Sequence, residues 1–493
     1  MAFLSKVTRL TLVLAIVAFS AVQVNAQKTG GDGKKPMTEQ EARKAYRAKK
    51  EANALEAQEG AKKGAKKGGK EKAGNKNKGN GQDKGNNKGN AKKGNAKKGN
   101  NKNKGKQQKP GGKRAGGKGK KASKQLLSEP QIARELTPAE AQDELDNVLC
   151  FLVGSQHADG SWGVPVPDDL NELGFAFDSY YAWNQAANAL ALMALMEAPE
   201  SPERAYALEG GLDWLCRTRL AHRGSNWDVD STWPSLYGFV CLVQAAGDER
   251  FAKDAIAREK FQRRAMEFYE DLVRRQTPDG GWVYYDDPPF TVKPTWGTSF
   301  CTALVLPALF DAEYMGWPVD PEVTLRARSV IERCALPNGA YSYSYNLVMG
   351  GHGGMSINQV PGSLGRIQVC NWALARAGDP RVTDDLVREG LEQFFEQHAY
   401  LDMVRTRPKP HEGWFANAGY FYFFGHYYAA KAIALLPVEE HEAWHRRLRY
   451  HVTKTLSVEG SCSDFMASSY QITAGSSYAA LVLAAGLTSS AQE

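Results

Sequence analysis

The sequence predicts an all-α fold: a six-hairpin α/α toroid of inner and outer helices, preceded by a disordered tail. Three observations predict it. A turn of the form Gln-x-x-Asp-Gly-(Ser/Gly)-Trp occurs twice, as Gln156–Trp162 and Gln276–Trp282, each time between two helical patterns. Six pairs of helical segments follow one another, the first of each pair amphipathic and the second more apolar. No polar terminal repeat closes the series, as an open solenoid would require, so the ring is expected to shut on itself.

Residues 1–26 place Lys6 and Arg9 ahead of a short apolar run, Leu10 to Val22, and end in Val24-Asn25-Ala26. That is the pattern of a secretory signal cleaved after Ala26, and the mature chain is expected in the periplasm, the cell envelope or outside the cell. The run is short for a membrane span, and no cysteine follows the cleavage site to carry a lipid. Residues 27–135 form a tail dominated by Lys, Gly, Asn and Ala. Its part 27–125 holds 32 Lys and Arg against 8 Asp and Glu. With almost no apolar surface to offset the entropy of ordering, it is expected to be disordered, with helical propensity only in Thr38–Ala57. The net charge of +8 therefore hides two opposed parts, because the remaining domain has 29 basic and 47 acidic residues. The tail's charge suits either a solvated spacer or an electrostatic grip on an anionic envelope polymer or membrane surface. Nucleic acid is not the expected partner, since no aromatics are interleaved to stack on bases.

Residues 136–490 are the toroid. Thr137-Pro138-Ala139-Glu140 starts a helix with a capping residue, Pro at the first helical position and an acid three residues on. Ser201-Pro202-Glu203 and Asp320-Pro321-Glu322 repeat the device, and Gly247-Asp248 and Gly378-Asp379 end later helices. The marks divide the chain into hairpins near 137–198, 202–247, 259–316, 320–378, 383–437 and 440–487. First helices carry one apolar stripe: Val323, Ala327, Val330, Ile331 and Cys334 in the fourth, Val387, Leu391, Phe394 and Phe395 in the fifth, Trp444, Leu448, Val452 and Leu456 in the sixth. The second helices Trp183–Met196, Thr232–Ala246 and Thr298–Phe310 lack a polar face, so they belong to an inner layer. Degenerate turns occur at Gly224–Trp227, Asn338–Tyr341, Glu412–Trp414 and Glu459–Ser461. The repeated Gln, Asp and Trp of the turns read as scaffold, satisfying helix-end groups and burying area.

The turn pattern resembles the repeat of the squalene cyclase and protein prenyltransferase superfamily (the prenyltransferase and squalene oxidase repeat), and the segment 411–437 resembles an uncharacterised group of exported bacterial members. The resemblance implies a toroid over roughly the whole foldable part. Within it, Trp227-Asp228-Val229-Asp230-Ser231-Thr232 is similar to the D-x-D-D-T of squalene–hopene cyclases and class II diterpene cyclases. That similarity implies Asp230 as the acid that protonates an alkene or epoxide and Asp228 as its tuning neighbour; the motif's last Asp is Ser231 here. Burial and a nearby carboxylate would keep such an acid protonated until used. Aromatic faces for cationic intermediates are expected from Trp183, Trp233, Tyr237, Trp296, Phe300, Tyr420, Phe424 and Tyr427, with His426 a further pocket candidate. The bland alternatives are that Asp230 or Ser231 is a helix N-cap, that Phe421–Tyr428 is core, and that His426 is a satisfied core histidine.

The prenyltransferase branch is not supported, for its zinc site needs an Asp, a Cys two residues later and a distant His, and no D-x-C occurs. No metal and no cofactor is implied. The Gly-rich loop Gly350–Gly354 with His352 has no strand before it and is no phosphate motif. A second class remains: exported α/α toroids that cleave glycans, for which Asp168, Asp169, Asp286, Asp287 and Glu412 near Trp162, Trp282 and Trp414 would supply acid and base. A third is a non-catalytic toroid binding an apolar molecule or a protein. Seven scattered cysteines show no pairing pattern, and most fall on apolar helix faces.

Overall fold

The structure is a computed structural model that describes residues 136–490 apart from 169–173, 346–356, 408, 412 and 466–467. The signal sequence, the polybasic tail, Asp169, the Gly350–Gly354 loop with His352, and Glu412 lie outside the described residues. The described part falls in one compact unit, Ile132–Glu493.

Thirteen α-helices are described: α1 (Pro138–Gly154), α2 (Phe177–Glu197), α3 (Pro202–Arg217), α4 (Trp233–Gly247), α5 (Ala255–Arg275), α6 (Ser299–Tyr314), α7 (Pro321–Cys334), α8 (Leu364–Arg376), α9 (Asp384–Glu396), the short α10 (Ala399–Asp402), α11 (Phe421–Ile433), α12 (Val438–Thr453) and α13 (Ser469–Ser490). Among the described residues the only β-structure is isolated bridges. Helix starts follow their caps. Thr137 and Glu140 form the expected reciprocal box, and Ser201 and Asp320 accept from the amides of Arg204 and Glu322.

The inner helices α2, α4, α6, α8, α11 and α13 pack in that order, and α13 packs against both α2 and α1, which closes the ring. All-round apolarity makes α4 and α6 inner helices: nearly every residue of each is buried, whereas α5 and α7 bury one stripe. The toroid expected from the sequence is the observed fold.

The repeated turn works through a glutamine that makes one bond within the turn and one across to the next hairpin. Gln156 Nε2 donates to Gly160 O at 3.0 Å and to Ala207 O of α3 at 2.8 Å; Gln276 Nε2 donates to Gly280 O at 2.8 Å and to Val323 O of α7 at 2.9 Å. Each indole donates back to the end of its own outer helix, Trp162 to Leu152 O at 2.7 Å and Trp282 to Leu272 O at 2.8 Å. The turn glycine lies flat on the next outer helix. At Gly160 (φ +89°) a Cβ would stand 2.2 Å from Gly210 O, and at Gly460 (φ +80°) it would stand 2.5 Å from Asn147 O. Gly460 belongs to the sixth hairpin and Asn147 to the first, so the same contact shuts the ring.

A second relay runs along the inner helices. The fourth residue after the turn glycine reaches the N-terminal end of the preceding inner helix in all six hairpins. Asp228 accepts from Ser179 N of α2 (3.2 Å), Tyr284 O from Thr232 N before α4 (3.1 Å), Tyr343 O from Ser299 N of α6 (3.0 Å), and Asp464 from Phe423 N of α11 (3.1 Å). Asn417 Nδ2 donates to Pro361 O before α8 at 2.7 Å, and Val164 N donates to Ser469 Oγ of α13 at 3.0 Å. Helix ends that would otherwise be orphaned are thus satisfied by the neighbouring hairpin.

Candidate functional site

Asp230 sits where this relay meets the bore. It is the second residue after Asp228, and the loop turns there through a left-handed conformation (φ +59°) that an Asp tolerates better than most residues. The turn directs its carboxyl to the indole of Trp183, whose Nε1 donates to Oδ2 at 2.9 Å. The residue as a whole is half-buried, and its carboxyl is closely surrounded by protein. Burial pushes its pKa up to about 7, opposed by the Trp183 hydrogen bond and by the Arg223 guanidinium. At neutral pH this is a carboxyl poised between acid and base.

The N-cap reading of this segment is not what is observed. The residue before α4 is Thr232, which makes no side-chain cap bond. Ser231 and Thr232 instead accept from Arg275 Nη1, at 2.9 and 3.2 Å. Arg275 is buried and bridges to Asp271 (2.6 Å) and Asp286 (2.9 Å), while Arg223 donates to the Asp286 backbone carbonyl. The loop carrying Asp230 is therefore braced on α5 and on the 284–287 segment by a buried, charge-compensated web. Asp228 is engaged elsewhere: its oxygens accept from Ser225 Oγ (2.8 Å) and Ser179 N, so it shapes the loop and caps α2. The groups that act on Asp230 are Trp183 and Arg223.

The walls are aromatic. Trp183 stacks on Tyr470 (centroids 5.6 Å apart, 17° between planes), and Trp233 stacks on Tyr284 (6.3 Å, 7°) and on Tyr237 (5.8 Å). Phe300 joins Trp233, Tyr343, Phe421 and Phe424, and Tyr420 packs on Phe421 and Phe465. Trp183, Trp233, Tyr284 and Tyr420 are half-buried, whereas Tyr237, Phe424, Tyr427, Tyr428 and Tyr478 are buried, with the hydroxyls of Tyr237 and Tyr478 in contact. The rings of Trp183, Tyr284 and Tyr420 lie close to Asp230, and the aromatic cluster they belong to is termed the cup.

Polar groups are built into the same aromatic cluster. His411 Nδ1 donates to Ala416 O at 2.7 Å, which fixes Nε2 as the acceptor of the Tyr420 hydroxyl at 2.8 Å. Tyr343 donates to Tyr284 across 3.1 Å. Arg366 is buried beneath Tyr343 and Phe421, donating to Tyr341 O and Ile357 O, and burial lowers its pKa to about 10. Burial likewise raises the phenols of Tyr284, Tyr343 and Tyr420 and lowers the His411 imidazole.

Of the residues singled out in the sequence, Asp230, Trp183, Trp233, Tyr237, Tyr420 and Phe424 come together here. Trp296 stands at the edge, reached through Tyr285 at 6.3 Å. His426 does not belong to the cup; it is fully buried and bonded to His398 and to Tyr422 O. Sequence reasoning missed Tyr284, Tyr343, His411, Arg366 and Tyr470. The first two had a signal, since both occupy the fourth position after the turn glycine, as Asp228 does.

Of the acids expected of a glycan-cleaving site, Asp168, Asp286 and Asp287 are among the described residues, and the first two are engaged in structural contacts. Asp168 accepts from Ser469 N at 3.1 Å and caps α13, Asp286 is paired with Arg275, and the Asp287 backbone is tied to Val292. Two clefts, of about 490 and 320 Å³, lie at the C-terminal ends of α2 and α4 and between α1, α2 and α13. Neither contains Asp230. All seven cysteines are unpaired, and five of them are buried. Among the described residues no helix is long and apolar enough to cross a membrane.

No known protein family matches the sequence, and no curated protein matches it. Among solved structures, the chain is similar to the type II terpene cyclase MstE from Scytonema (12% identity, TM-score 0.39, 71% of this chain and 100% of that one). It is also similar to the GH76 α-mannanase BT2949 of Bacteroides thetaiotaomicron (11%, TM-score 0.47, 72% and 97%) and to the cellobiose 2-epimerase of Spirochaeta thermophila (14%, TM-score 0.45, 72% and 97%). Likenesses at that level do not distinguish one activity from another.

Proposed function

We propose that the toroid binds an apolar, isoprenoid-like ligand in the aromatic cup and that Asp230 donates a proton to it. The observation that carries this reading is a carboxyl with a pKa of about 7, held by the indole N–H of Trp183 and close to the rings of Tyr284 and Tyr420. A carboxyl that keeps its proton at neutral pH can act as a general acid, and the Trp183 bond stabilises the carboxylate left after transfer. The faces of Trp183, Trp233, Tyr284 and Tyr420 offer quadrupole stabilisation to positive charge developing on the ligand. Asp228 supports the chemistry by holding the loop.

A carbohydrate reading draws on a different observation: Trp227 and Trp414 are exposed on the loops that carry Asp230 and His411, and exposed indoles are platforms for sugar rings. Against it, cleavage by paired carboxylates needs two acids about 5–9.5 Å apart, and Asp168 is engaged in a helix cap and Asp286 in an ion pair. The isoprenoid reading is the one proposed because it uses the raised pKa of Asp230. For the tail, export followed by electrostatic attachment to an anionic envelope polymer or membrane surface is the corresponding proposal.

The test is incubation of the purified protein and its Asp230→Asn variant with squalene and with geranylgeranyl diphosphate, followed by mass spectrometry of the organic extract. Cyclised product from the wild type alone is expected. Absence of any product, together with release of reducing ends from a panel of polysaccharides, would transfer the assignment to the carbohydrate reading.

A further inference from the structure

Three histidines meet outside the cup, between the inner helix α11 and the outer helix α12. His398 immediately precedes α10, His426 lies in the middle of α11 and His451 near the end of α12; one ring nitrogen from each lies within 4.8 Å of the others. His398 Nε2 and His426 Nε2 face each other at 2.9 Å, and the His451 ring stacks on His398 with centroids 3.5 Å apart. The outer nitrogens are also engaged. His426 Nδ1 is 2.7 Å from Tyr422 O, and His398 Nδ1 is 3.0 Å from Asp402 Oδ2.

Counting protons along this chain shows what it lacks. From the Tyr422 carbonyl through His426 and His398 to Asp402 there are three short gaps, each flanked by two lone-pair-bearing atoms. Each gap needs a positive centre, and two neutral imidazoles supply two protons. If the outer gaps hold them, as the carbonyl and the carboxylate require, two Nε2 lone pairs point at each other across 2.9 Å. A third proton would create an imidazolium near Lys454, which already stands 2.8 Å from Asp402 and 3.2 Å from His451 Nδ1. A dication would satisfy both lone pairs at once. Two nitrogens each about 2.0–2.1 Å from a tetrahedral ion stand about 3.3–3.4 Å apart, so the pair would open by about 0.4 Å from its 2.9 Å separation to take one. The outer partners, one carboxylate and one backbone carbonyl, are those that orient metal-ligating imidazoles.

We propose that His398, His426 and His451 form a site for one transition-metal dication of the zinc type, oriented by Asp402 and the Tyr422 carbonyl, that pins α11 to α12. His398 and His426 bind through Nε2. His451, half-exposed beside Asp402 and Lys454, gives the third nitrogen and the way in from the surface. Imidazole-only ligation favours zinc, copper and nickel over magnesium or calcium. The role is structural, because His426 is remote from Asp230 in the hydrogen-bond network and shares none of its partners.

The experiment is dialysis of the untagged full chain against ZnCl2 and then against metal-free buffer, with bound zinc counted by inductively coupled plasma mass spectrometry. One zinc per chain is expected, with a melting temperature lowered by a chelator; Co2+ loading should give visible ligand-field absorption. The His398→Gln/His426→Gln double variant should hold no zinc. His451→Gln, at the half-exposed position, keeps the test valid if the double variant does not fold, and should weaken zinc binding at least tenfold. Asp402→Asn should cost 10–100-fold in affinity at unchanged stoichiometry. Failure of the wild type to retain zinc or cobalt, or equal retention by a folded variant lacking these histidines, overturns the proposal.

Discussion

Replacing Asp230 by Asn should stabilise the protein in a pH-dependent way, and the size of the effect follows from the site. The folded carboxyl titrates at about 7 instead of 3.8, a rise of about three units caused mainly by burial. At about 1.36 kcal/mol per unit this corresponds to about 4 kcal/mol. The sign is set by linkage. Below pH 3.8 both folded and unfolded chains carry the proton and Asp230 exacts no penalty. As pH rises from there towards about 7 the unfolded chain releases the proton while the folded chain keeps it, so stability declines, and above about 7 the full cost is present. An amide retains an oxygen for the Trp183 N–H and has no charge to desolvate. The variant should therefore match the wild type near pH 4 and exceed it by about 4 kcal/mol at pH 8, which at roughly 2 °C per kcal/mol for a long chain is roughly 8 °C in Tm. Thermal melts between pH 4 and 8.5 measure it. Asp464, also buried with a pKa of about 7, changes both proteins alike, so the difference isolates Asp230. A gap that does not vary with pH, or no gap at pH 8, refutes the idea that this carboxyl is held out of water.

Other expectations follow from the same contacts. Trp183→Phe removes the donor that lowers the Asp230 pKa, so the midpoint of the same pH profile should move upward by on the order of one unit. Gly460→Ala forces a Cβ into Asn147 O at a positive φ and should lower Tm by several degrees, whereas Gly154→Ala, which meets nothing within 4 Å, should not; paired melts decide it. Arg275→Met leaves Asp271 and Asp286 with the half-exposed Arg274 as their remaining cation and should cost on the order of 3 kcal/mol by urea denaturation. Binding of the full chain to vesicles rich in anionic lipid should weaken steeply with added salt and vanish when residues 28–124 are deleted; unchanged binding by the truncated chain removes the tail from that role.

The architecture was legible because helix burial writes itself into sequence periodicity: Val323, Ala327 and Val330 keep one face, while Ser299 to Leu309 keep none exposed. Asp230 was legible as part of a local motif, but its setting was not. Its donor, Trp183, lies 47 positions away, and Tyr343 and His411 reach the cup from other hairpins. Loop carboxylates were the least readable feature, since Asp168 and Asp228 look the same in sequence whether they face solvent or the next helix end. His398, His426 and His451 were equally opaque, because no local spacing relates one side chain on each of three successive elements.

The six-step relay also orders events during synthesis. α1 and α2 leave the ribosome first, yet the groups that complete their free edge, the 458–460 turn on Asn147 and Tyr470 on Trp183, are among the last residues made. For most of translation the growing chain carries an open apolar seam, and it can hide that seam only once the sixth pair arrives. A chain with this geometry depends on whatever keeps nascent surfaces apart in the meantime, and losing its final helix would damage the first as much as the last.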